Sequence, residues 1–137
     1  MQRTATAHWE GDLKTGKGSL STQSTILNKT QYSFNTRFAD GAGTNPEELL
    51  AAAHAGCFTM AISAALGQAG FTPTMLDTKA SVTLEGLDIT GVHLVVEGKV
   101  PNVSEQVFLD VVKGAEKGCI ISKALKVPIT SEAKLLQ

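Results

Sequence analysis

Asn45-Pro46-Glu47-Glu48-Leu49-Leu50-Ala51-Ala52-Ala53-His54-Ala55-Gly56-Cys57-Phe58 is the stretch on which the reading of this chain turns. It opens with helix-start signals. Asn45 suits an N-cap, Pro46 suits the first helical position, and Glu47 and Glu48 complement the positive end of the helix dipole. From Leu49 to Gly67 no Asp, Glu, Lys or Arg occurs. The helix is predicted to run to about Gln68 and to stop at Gly70, with Pro73 beyond. It is apolar nearly all round, which predicts a central helix sandwiched in the core and carrying Cys57. Its length would also span a bilayer. Its Ala content, with His54, Gly56, Thr59 and Ser63, favours a core helix instead.

Working outward, Thr4–Trp9 and Ser19–Thr25 flank a glycine-rich turn and read as an N-terminal hairpin. Gln31–Phe38 alternates aromatic and polar residues and reads as a third strand. After the helix, Thr78–Leu84 alternates as a half-buried strand, Gly86 marks a turn, and Ile89–Val100 gives a long strand ended by Pro101. Ser104 caps a second principal helix with an apolar face of Val107, Phe108, Val111, Val112 and Ala115, stopped at Gly118. A helical turn at Ser122–Leu125 and a strand at Val127–Lys134 follow. The sum is an α+β fold with mainly antiparallel sheet, expected as a single domain over residues 1–137.

Composition narrows the function. A chain of 137 residues with net charge −1 carries no basic stripe for nucleic acid or an anionic membrane. The N-terminal segment lacks the apolar run of a secretory signal. The expectation is a cytoplasmic protein, where thiols are kept reduced and a transient catalytic disulfide remains open. The two cysteines and the three histidines, His8, His54 and His93, show no zinc-type spacing, so no metal is expected. Phosphate loops and serine-nucleophile elbows are absent.

Cys57 and Cys119 are either a redox dithiol or two core residues. An apolar setting disfavours a thiolate, so a reactive Cys57 needs a cation nearby. Cys119 follows Gly118, where a backbone pivot would serve a resolving thiol. Arg37, on its apolar-aromatic segment, either faces solvent or reaches inward to a carboxylate such as Glu47 or Glu48. His54 shares a helical face with Cys57, but neighbours at that spacing need not point their reactive atoms together. Phe34, Phe38, Phe58 and Met60 suit either an apolar pocket or ordinary core. Three functions stay open: a thiol peroxidase, a module binding an apolar ligand with packed cysteines, and a redox sensor.

At these residues the chain resembles the osmotically inducible protein C (OsmC) and organic hydroperoxide resistance (Ohr) family, its OsmC branch in particular. The resemblance runs through Ala7-His8-Trp9-Glu10-Gly11-Asp12, Tyr32–Phe38, Gly43–Leu50, Ala52–Phe58, Gly70–Thr74 and Lys117-Gly118-Cys119. It implies a peroxidase that reduces hydroperoxides, organic ones especially, through a Cys57 sulfenic acid and a Cys57–Cys119 disulfide. Cys57 would be the peroxidatic thiol, Cys119 the resolving thiol, Arg37 the activating cation and Glu47 its carboxylate partner. It further implies an intertwined homodimer, no metal or flavin, and reduction by an external dithiol, for which the family suggests a lipoyl group. Two positions depart from the family pattern: Ile120 stands where many relatives have proline, and Gly56 where alanine is common.

Helix geometry constrains that scheme. Ten residues of straight helix separate Glu47 from Cys57 by about 15 Å. Either the helix breaks between about Ala51 and Gly56, or the Arg–Glu pair and Cys57 come from different subunits. The break is the expectation for a site built within one chain.

Overall fold

The computed structural model describes residues 1–137, which divide into two compact units, 1–49 and 50–137. In the first, β1 (Ala5–Glu10), β2 (Lys17–Thr22) and β3 (Thr30–Tyr32) form an antiparallel sheet in that order. Trp9 and Tyr32 meet edge-on across β2, their centroids 5.5 Å apart. Gly18 lies beneath both rings; a Cβ there would come within 2.5 Å of Trp9 and 2.6 Å of Tyr32. The strand expected to reach Phe38 stops at Tyr32. Ser33 accepts from the Thr36 amide while the Thr36 hydroxyl caps the Ser33 amide, and this reciprocal pair opens a short helix, α1 (Phe34–Phe38).

Helix α2 (Pro46–Gln68) starts as expected, with Asn45 Oδ1 accepting from the Glu48 amide at 2.8 Å. Its end is a Schellman motif: Gly70 (φ +90°) donates to Gly67 O, and Phe71 donates to Leu66 O. The expected break between Ala51 and Gly56 does not occur; α2 is one helix of 23 residues. Alanine and leucine are strong helix formers, and the lone Gly56 costs only about 1 kcal/mol, too little to interrupt them. Nor is α2 buried all round in the single chain. His54, Phe58, Ile62 and Leu66, spaced by four, form its buried face, while Ala52, Ala53, Gly56 and Met60 are exposed.

The second unit holds a sheet in the order β4 (Met75–Glu85), β5 (Asp88–Lys99), β6 (Ile129–Leu136). β4 and β5 form an antiparallel hairpin turning at Gly86, and β6 returns parallel to β5 after the crossover through α3 (Glu105–Gly118) and α4 (Ile120–Ala124). Val92, Leu94 and Val96 alternate inward from β5 and pack with Phe58, Ile62 and Leu66 of α2 and Phe108, Val112 and Ala115 of α3. Gly98 on β5 admits the Phe108 ring, which a Cβ would meet at 2.7 Å.

Candidate active site

In the first unit Arg37 and Glu47 meet. Arg37 sits on the last turn of α1 and Glu47 on the first turn of α2. Asn45 ties these turns together, its Nδ2 donating to the Thr36 carbonyl at 2.9 Å. Arg37 then donates from Nε (3.0 Å) and Nη2 (2.8 Å) to the same oxygen, Glu47 Oε1. The carboxylate is nearly covered, whereas the guanidinium is half open, lying 5.4 Å from the centroid of the Phe38 ring. Glu47 Oε2 is buried without a partner. Arg37 is thus held from one side by a carboxylate and free on the other.

The second unit holds both cysteines as free thiols. Cys57, midway along α2, is half-buried and packs against the core cluster to which the buried Cys119 belongs. Cys119 links α3 to α4: its amide closes the last turn of α3 on Ala115 O, and its sulfur accepts from the Ser122 amide at 3.3 Å to cap α4. Gly118 keeps ordinary helical backbone and has room for a Cβ, so no conformational demand explains it. Ile120 is exposed at the start of α4.

A third group joins them. Cys119 Sγ donates to Ser122 Oγ at 3.1 Å, and Ser122 Oγ lies 2.7 Å from His54 Nε2. His54 is fully buried, and burial holds its pKa below the ordinary imidazole value, so it is neutral. Its Nδ1 has no partner, a condition that costs about 1–3 kcal/mol. The sequence placed His54 on the helical face of Cys57 without pairing them; the structure joins it to Cys119 through Ser122. Ser122 was not singled out at all. The signal for it was the Cys119-x-x-Ser122 spacing at a helix start, which puts a side chain of the third helical residue beside the cap.

No group of three or more His, Cys, Asp or Glu side chains gathers to hold a metal. Of the four expected site residues, the chain joins Arg37 to Glu47 and sets Cys57 and Cys119 against one core. Helix α2 runs unbroken from Pro46 to Gln68.

A family model described as OsmC-like protein matches residues 39–134. The chain belongs to the OsmC-like family. It is 48% identical over 139 residues to the Peroxiredoxin OsmC of Escherichia coli, covering 98% of this chain and 97% of that protein. Its fold is shared by an OsmC-like protein of unknown function from Vibrio cholerae, with TM-score 0.77, 14% identity, and coverage of 97% of this chain and 99% of that one. The organic hydroperoxide resistance protein OhrB of Bacillus subtilis has the same fold, at TM-score 0.65 and 23% identity, covering 97% and 98% of the two chains. This OsmC-like chain therefore has the α+β architecture expected of it, spanning nearly the full length of these relatives.

Proposed function

We propose that this OsmC-like protein is a cysteine-based peroxidase that reduces organic hydroperoxides to alcohols, working as a cytoplasmic homodimer. The observation that carries the reading is the pair of free thiols on one core, Cys57 half-buried and Cys119 buried. The Cys57 thiolate attacks one peroxide oxygen and the O–O bond breaks. The released alkoxide takes a proton to become the alcohol, and Cys57 is left as sulfenic acid. The Cys119 thiol then attacks the Cys57 sulfur, forming the disulfide and releasing water before further oxidation can occur. An external dithiol, a lipoyl group in our reading, reopens the bridge by exchange. The chemistry needs neither metal nor flavin.

Arg37 is the cation that favours the Cys57 thiolate, and Glu47 holds it from the far side. With α2 continuous, the two-subunit version of the site is the one we adopt: the Arg37–Glu47 pair of one copy serves Cys57 of the other. The exposed face of α2, with Ala52, Ala53, Gly56 and Met60, supports such pairing, since small residues permit close approach of a second copy. An ion pair of this kind also favours the enzyme over a passive apolar binding module, which gains nothing from it.

The test follows organic hydroperoxide loss with a dithiol for wild type, Cys57→Ser and Cys119→Ser. Cys57→Ser should be inactive, and Cys119→Ser should complete one turnover and then accumulate sulfinic acid. Undiminished consumption by Cys57→Ser would eliminate the peroxidase reading.

A further inference from the structure

The histidine buried behind Cys119 is used by nothing in the scheme above. His54 is fully buried within α2, and a histidine among Phe58, Ile62 and Leu66 needs a reason to be there. Its Nε2 reaches Ser122 Oγ at 2.7 Å, and Ser122 Oγ in turn receives the Cys119 S–H at 3.1 Å. Ser122 has one proton to give. In the tautomer that carries the imidazole proton on Nδ1, Ser122 can accept from the thiol and donate to Nε2. Sulfur, hydroxyl and imidazole thus form one directed chain ending at a basic nitrogen. The far end is open, since Nδ1 has no partner. A histidine serving only to fill space gains nothing from a nitrogen left unpaired in the core.

We propose that Ser122 and His54 are a proton relay for the resolving thiol, Ser122 as a catalytic residue touching the reacting sulfur and His54 as a positioning residue acting through it. The inference rests on the proposed Cys57–Cys119 resolution step. As Cys119 Sγ bonds to the Cys57 sulfur, its proton passes to Ser122 Oγ and the Ser122 proton passes to His54 Nε2. The S–O bond of the sulfenic acid breaks and its hydroxide leaves. His54 returns its proton through Ser122, and the hydroxide takes up one proton to become water. Thiol and sulfenic acid have then become disulfide and water, with no net change in Ser122 or His54.

The experiment separates the two steps. Reduced protein is mixed with one equivalent of an organic hydroperoxide; peroxide loss reports the Cys57 step, and mass spectrometry of alkylated samples reports the disulfide. Ser122→Ala and His54→Gln should consume the peroxide at the wild-type rate but form the disulfide at least about tenfold more slowly. Ser122→Thr, which keeps the hydroxyl, should recover most of that loss, and it keeps the test decisive where His54→Gln does not fold. Disulfide formation at the wild-type rate in Ser122→Ala overturns the relay. So does an equal slowing of both steps, which would mark a packing role only. If wild type consumes peroxide yet forms no Cys57–Cys119 disulfide, the resolution step itself falls, a result separate from any behaviour of the variants.

Discussion

Arg37 donates two nitrogens to one oxygen of Glu47, an arrangement only a guanidinium fork can make. Lysine at 37 keeps the charge but loses the fork. Arg37→Lys and Glu47→Gln should therefore each slow the reaction of Cys57 with organic hydroperoxide by about tenfold or more, read by stopped-flow peroxide loss. Arg37→Lys should leave the unfolding midpoint nearly unchanged, because the guanidinium is half open to solvent. The residues alone left Arg37 facing solvent or a carboxylate, Glu47 or Glu48; the family resemblance named Glu47, and the structure pairs the two. The backbone carrying Arg37 was not legible, since Tyr32, Phe34 and Phe38 imitate strand alternation and the Ser33–Thr36 cap overrides it. His54 makes a second prediction at this scale. Burial lowers its pKa from the ordinary 6.5. The unfolded chain gains the proton near that pH and the folded chain only below it, so stability is unaffected above about pH 6.5 and falls as pH drops beneath it. Glu116 is lowered too: burial raises it, but hydrogen bonds from Ser131 and Lys113 and the charges of Lys113 and Lys117 outweigh that, so its loss begins only near 4.5. The urea midpoint should thus fall as pH drops below about 6.5 in wild type, and this slope should flatten in His54→Gln.

At the scale of elements, glycines in the two long helices make opposite predictions. Gly70 takes φ +90° to end α2, and its amide joins the Schellman motif. Gly70→Ala should destabilise by about 1 kcal/mol. Gly114 lies exposed inside α3 with nothing within 4 Å of a new Cβ, so Gly114→Ala should stabilise by about 0.5–1 kcal/mol. Chemical denaturation of the two variants checks both signs. Helix α2 was legible at both ends because its signals are local: an Asn-Pro-Glu-Glu start and a glycine stop. The supposed break in α2 came from a functional argument, not from any residue that breaks helices. The run Leu49–Ala55 contains none, and the helix continues through it.

At the scale of the molecule, the Phe108 ring of α3 packs where Gly98 of β5 leaves room for it. Gly98→Ala would press the Phe108 ring, 2.7 Å from the new Cβ, and should cost about 1–3 kcal/mol with no direct effect on either thiol. What sequence could not supply is the link between His54 and Ser122, 68 residues apart, because pairing at that separation is a product of the whole fold. The partner of Arg37 in catalysis is likewise a property of the assembly. In the proposed homodimer, the site is shared between two copies, with α2 unbroken and a small-residue face exposed on it. The measurement that bears on this most directly is complementation: Arg37→Ala and Cys57→Ser chains, each inactive alone, are co-expressed and assayed for organic hydroperoxide reduction. Random pairing makes half the dimers mixed, each with one intact Arg37–Cys57 site, so ~25% of wild-type activity should return. No recovery from a preparation shown to contain mixed dimers would contradict a site shared between subunits.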